Sequence, residues 1–141
     1  MKKSQVAFIL LVIIFLFFPL SAFSEIVLIA NKNVEENSLS KEEVKNIFLG
    51  NKKKWSNNNM IQFVIQKKGP VHKDFLKAHI GRSEQQYRMT LRQMVFLGKG
   101  NLPKECNSDK EMIEYVAKTD NAIGYVESNS VNDTVKKMAV K

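Results

Sequence analysis

This chain of 141 residues has a single cysteine, Cys106. Without a second thiol no intramolecular disulfide can form, so the fold must rest on its core; an intermolecular bridge or an inert thiol are the uses left to Cys106. Histidine is nearly as scarce: His72 and His79 lie seven residues apart, with no HExxH-like spacing, which leaves a structural or catalytic zinc site without ligands. No internal repeat and no long linker interrupts the chain. No nucleophile has a base at motif spacing, so hydrolase or transferase chemistry has no support, and the reading is a non-enzymatic protein that needs no cofactor. Acidic residues are the minority, 14 against 22 Lys and Arg, for a formal charge of +8.

Long hydrophobic runs are also missing. Val6 to Phe18 is an uncharged apolar run of thirteen, well short of the roughly 20 residues that a spanning helix needs. Lys2 and Lys3 precede it and Ala22-Phe23-Ser24 follows, the order of a secretory signal peptide over residues 1–24 with cleavage before Glu25. No cysteine lies near the cut, which argues against a lipoprotein anchor. The expectation is a periplasmic or secreted protein without stable membrane insertion and without ready access to ATP or nicotinamide cofactors. Residues 25–141 are enough for one ordinary domain with a single core. Taking away Lys2 and Lys3 leaves 20 basic residues against 14 acidic ones, a formal charge of about +6. Such a surplus suits oxyanions, acidic head groups or an acidic protein face, and outside the cytoplasm nucleic acid is not the expected partner. Alternatively, the charge serves only solubility.

Strand and helix signals interleave after the leader. Ile26 to Ala30 is a continuous apolar run, the pattern of a strand buried on both faces. Ser40 and Glu43 form a capping box, Val44, Ile47 and Phe48 an apolar helix face, and Gly50 a stop. The basic connector Lys52 to Trp55 and the turn cluster Ser56 to Asn59 lead to a second strand, Ile61 to Ile65. The next fifty or so residues are predominantly helical in period. Val71, Phe75, Leu76 and Ile80 line a short helix ending at Gly81. Ser83 caps a longer one with Tyr87, Leu91, Met94 and Val95 inward and Gln85, Arg88 and Arg92 on another stripe. A capping box at Ser108 and Glu111 opens the last helix, with Met112, Tyr115 and Val116 facing inward. Ala122 to Val126 is a third strand, and Val135 to Val140 a weaker fourth. The fold class is α/β, with helices packed on a small mixed sheet.

Several stretches carry a family resemblance. Leu39 to Gly50, closing on "IFLG", then Trp55-Ser56-Asn57 and Ile61, resembles a segment of phosphate-type periplasmic substrate-binding proteins, of the type 2 periplasmic-binding-protein superfamily. Asn121 to Val126 is similar to that family's late "GAIGYV" strand, and Ile29 to Lys32 to the strand that crosses between its lobes. The resemblance implies a fold like one lobe of a two-lobed protein that closes on an oxyanion, with ABC-transporter-related function. In the family, the strand matching Ile61 to Ile65 leads into an arginine and then a glycine-flanked Ser/Thr segment opening a helix. Here those positions read Gln66-Lys67-Lys68-Gly69-Pro70-Val71-His72-Lys73.

The hydroxyls are absent, and Pro70 removes one amide donor. What remains is a helix N-terminus after a strand, which suits an anion, with lysine and histidine charge nearby. Gln66, Lys67, Lys68, Gly69, His72 and Lys73 are therefore the candidate ligand residues for phosphate or sulfate. The alternative for the lysines is a solvated basic loop. Arg88 and Arg92, at i and i+4, are candidates for docking an acidic partner. Trp55 is expected to pack against the helix bearing Phe48, and Tyr125 to order a sheet edge. The alternative function is an envelope interaction module that docks on a sensor, channel or transporter through its basic face. Pairing of two copies through an uncovered sheet edge is a further expectation.

Overall fold

Every residue of the first strand, β1 (Ile26–Ala30), is apolar because both faces of that strand are covered. Leu28 and Ala30 enter one buried cluster, Val27 and Ile29 another. The same division recurs in β5 (Ala122–Glu127), with Ile123 and Tyr125 on the first side and Ala122 and Val126 on the second, and in β3 (Gln62–Gln66), which separates Ile65 from Val64. Successive strand side chains point to opposite faces, so two clusters mean helices on both sides of one sheet. This computed structural model describes Lys3 and residues 25–141. Apart from Lys3, the leader read over 1–24 lies outside the described residues.

Six strands run in the order β2 (Ser38–Leu39), β6 (Lys136–Val140), β1, β5, β3, β4 (Lys104–Cys106). β1 is antiparallel to both β5 and β6, whereas β3 is parallel to β5 and β4, and β2 is parallel to β6. The sheet is mixed, as expected, but has two strands more than the hydrophobic pattern indicates. β2 is only two residues long. In β4, Lys104 and Glu105 are exposed and only Cys106 is buried, so no alternating apolar pattern announces it.

Helix α1 (Lys41–Phe48) starts at the expected box: Ser40 Oγ accepts from the Glu43 amide at 3.1 Å, and Glu43 Oε2 accepts from the Ser40 amide at 2.9 Å. Its apolar face, Val44, Ile47 and Phe48, is fully buried, and burying a Phe or Ile side chain contributes about 1.5–3 kcal/mol. Gly50 ends it at φ 75°, where a Cβ would also collide with Met94 Sδ. α2 (Pro70–Phe75) runs into a π turn at Leu76–Ile80 that Gly81 closes in the left-handed region, φ 71°. α3 (Glu84–Phe96) begins with a Ser83 to Gln86 box, and its Tyr87 hydroxyl donates to the Phe48 carbonyl at 2.6 Å. These three helices cover the first face through Phe48, Phe75 and Leu91; α4 (Asp109–Lys118) covers the second through Met112, Ile113 and Val116.

Three local expectations are corrected. Val95 is exposed, because the inward row of α3 is Tyr87, Leu91, Met94 and the helix ends before another inward position arrives. Tyr115 is half-buried, and Ile113 joins Met112 and Val116 instead. The Ser108 box is half made: Ser108 Oγ caps the Glu111 amide at 3.1 Å, but Glu111 Oε2 accepts from the Asn107 amide at 2.9 Å rather than from Ser108. At the other end of α4, buried Asn31 donates to the carbonyls of Val116 and Ala117 at 2.9 and 3.2 Å, satisfying acceptors that a helix end leaves open. Among the described residues, no helix is long and apolar enough to cross a membrane.

Candidate anion-binding turn

β3 hands the chain to α2 across Lys67, Lys68 and Gly69. Gly69 is the residue before the helix, with φ 105° and ψ 179° and no side-chain cap. That conformation strongly favours glycine, and the space where a Cβ would sit is open. Pro70 fills the first helical position, where the missing N–H costs nothing. No side chain caps this helix start, which leaves the first-turn amides without a side-chain acceptor. Lys67, Lys68 and Lys73 are exposed around this turn and Gly69 is half-buried.

Gln66 and His72 are not part of that exposed set. Each is only 4% exposed, and each is tied to the interior. The Gln66 amide donates to the Tyr125 hydroxyl at 2.9 Å, while Gln66 Nε2 donates to Asp109 Oδ1 at 2.6 Å. His72 Nδ1 meets the same Tyr125 hydroxyl at 2.5 Å. The hydroxyl donates to Nδ1 in one imidazole tautomer and accepts from it in the other, so in either case it joins Gln66 to His72. Burial holds the His72 value below the ordinary imidazole 6.5, opposed by Glu84 and Glu105 and reinforced by Arg88. Burial thus disfavours the charged imidazole, which makes His72 an interior tie rather than an added positive charge at the turn.

Tyr125 is corrected as well. β5 lies in the middle of the sheet, and Tyr125 is fully buried there, stacked on Phe75 with centroids 3.8 Å apart. Burial pushes its phenol far above the ordinary range, against the lowering effect of the Gln66 amide bond. Asp109, which the sequence reading did not single out, completes the network. Its Oδ2 accepts from the Glu127 amide at 3.1 Å and from Ser130 Oγ at 2.8 Å. One carboxylate thus links the end of β3, the end of β5 and the start of α4. The only advance signals were the strand parity that puts Tyr125 beside Ile123 and the need of a buried phenol for a partner.

The remaining candidates separate. Arg88 and Arg92 are both exposed on α3, and Arg88 is near enough to His72 to influence it. Trp55 packs in the cluster that holds Phe48, with Nε1 donating to the Asn121 carbonyl at 3.0 Å. Cys106 is fully buried, and burial raises its thiol to about 11, so the folded chain presents little thiolate for an intermolecular bridge. Among the described residues no group of three or more His, Cys, Asp or Glu could hold a metal ion.

The chain thus combines a mixed sheet, helices on both its faces and a lysine-flanked strand-to-helix turn. A family described as a PBP superfamily domain matches residues 19–140, and the chain belongs to that family. Similar solved structures include a protein described as a phosphate ABC transporter substrate-binding protein with bound phosphate from Clostridium perfringens, at 21% identity and a TM-score of 0.67, covering 83% of this chain and 45% of that one. An ABC-type phosphate transport receptor from Vibrio cholerae gives 16%, 0.65, 83% and 46%. PstS from Borrelia burgdorferi gives 16%, 0.61, 84% and 47%. No curated protein matches. The chain spans about half the length of these structures and has the fold of about half of such a protein.

Proposed function

We propose that this chain is an exported, non-enzymatic, solute-binding-like domain that holds phosphate or a related oxyanion such as sulfate at the Gln66–Lys73 turn, working in the periplasm or outside the cell after cleavage before Glu25. The observation that carries the reading is the uncapped helix start at Gly69, ringed by Lys67, Lys68 and Lys73. Lysine charge stands in for the hydroxyls this turn lacks, and the first-turn amides supply direction. Gln66 and His72 serve from beneath, holding the turn to Tyr125. The phosphate-binding proteins among similar folds support the ligand class.

The test is calorimetric titration of phosphate and sulfate at low ionic strength with matched chloride, on the protein and on Lys67→Gln/Lys68→Gln. Saturable binding that weakens about tenfold or more in the double variant is expected for two charge-assisted contacts. Affinity unchanged in that variant, or heat that chloride reproduces, overturns the assignment. A second reading rests on Arg88 and Arg92, exposed one turn apart with no ion pair among the described residues. On it the domain docks an acidic envelope protein by that helix face, and a salt-sensitive complex lost in Arg88→Glu/Arg92→Glu is its signature.

A further inference from the structure

A groove lies on the far side of β3 from β5, away from the Gln66–Lys73 turn. β4 pairs with β3 only from Val64 onward. Before that point, the connector after α1 reaches Met60 and Ile61 alone, by a Lys54 to Met60 bridge and the Ile61 amide donating to the Lys53 carbonyl at 2.8 Å. Between that connector and the loop after α3, a cavity of about 510 Å³ opens on Gln62, Phe63 and Val64 of β3. The strand edge is its floor.

The walls of the groove combine two kinds of chemistry. Met60 is 50% and Leu102 61% exposed, large apolar side chains held where water covers them. Around them stand Lys52, Lys53, Lys99 and Lys104, and no acidic residue lines the groove. Lys52 and Lys104 have carboxylate partners, Glu43 at 3.3 Å and Glu111 at 3.9 Å; Lys53 and Lys99 have none among the described residues. In a two-fold contact between copies this groove would meet itself and bring lysines against lysines. A flat lipid surface leaves the concavity unfilled. An extended acidic segment satisfies all three features: strand edge, apolar lips and unpaired cations.

We propose that this groove docks an extended polypeptide segment of a partner protein, in which carboxylates alternate with aliphatic or aromatic side chains. An apolar side chain enters between Met60 and Leu102 while flanking carboxylates meet Lys53 and Lys99. The surface shares no residue with the oxyanion turn, so the two can be occupied independently.

Fluorescence anisotropy of a labelled eight-residue peptide alternating Glu and Leu, titrated with the purified protein, tests the proposal. Expected is saturable binding that falls at least tenfold in Lys53→Glu/Lys99→Glu and about fivefold in Leu102→Ser, with circular dichroism and thermal midpoints unchanged. An all-Glu peptide of equal length should bind at least fivefold more weakly, and phosphate should not compete. Equal binding of the two peptides, indifference to Leu102→Ser, or no binding overturns the proposal. Binding to phosphatidylglycerol vesicles that depends on Leu102, without peptide binding, overturns it in favour of a lipid surface.

Discussion

Replacing Tyr125 with Phe removes one oxygen atom and keeps the ring, so it isolates what the buried hydroxyl does. The stack on Phe75 at 3.8 Å and the edge contact with Phe48 at 5.9 Å survive the change, and little apolar area is lost. Two buried groups are left without their partner, the Gln66 amide and His72 Nδ1. Orphaning a buried donor or acceptor costs about 1–3 kcal/mol each, so about 3 kcal/mol is expected for the pair. In a domain of this size that lowers the thermal midpoint by on the order of 10–20 °C. Urea unfolding should show the loss in the midpoint with the slope unchanged, and hydrogen exchange should show the Gln66 amide losing protection. Because Gln66 precedes the Lys67 to Lys73 turn and His72 lies within it, oxyanion affinity should fall in the same variant. A stability loss below about 1 kcal/mol, with the Gln66 amide still protected, refutes the hydroxyl as the post that holds this turn.

Gly124→Ala places a Cβ inside contact distance of Met112 Sδ and 3.3 Å from Val116 Cγ2, so the buried Met112 side chain must shift between α4 and β5; a loss of about 1–3 kcal/mol in urea unfolding is expected, partly relieved when Met112→Ala is combined with it. Stability should also fall in acid: the folded His72 value lies below the ordinary 6.5, the unfolded chain binds the proton first, and stability drops as pH falls through about 6.5 toward the folded value, by at most about 1.4 kcal/mol per pH unit. Burial and Lys41 shift His79 the same way, so thermal midpoints between pH 7.5 and 5.5 measured on His79→Gln isolate the His72 share.

Features set by local chemistry were legible in advance. The Ser40 box, the Gly50 and Gly81 stops and the two central strands at Ile26 and Ala122 depend on a few adjacent residues, and they stand where the sequence indicates. Lys104 to Cys106 became a strand only because β3, some forty residues earlier, offers it a parallel edge. The turn was legible as a place, through Gly69 and its lysines. What was hidden is that Gln66 and His72 turn inward, since their partners Asp109 and Tyr125 arrive from other elements. Charge is visible in a sequence, while a hydrogen-bond network assembled from four elements is not.

The position of β1 between β5 and β6 also governs when the molecule can form. Ile26 faces Glu127 and Leu28 faces Met138, so the earliest strand waits for partners about a hundred residues later. Such long-range closure places folding among the slower classes of small domains, in milliseconds to seconds rather than microseconds. As the chain emerges from a ribosome, the middle of its sheet stays unpaired until β5 is out. Ile26 to Ala30 is in that interval a bare apolar segment, and the step most exposed to misassociation comes before folding begins.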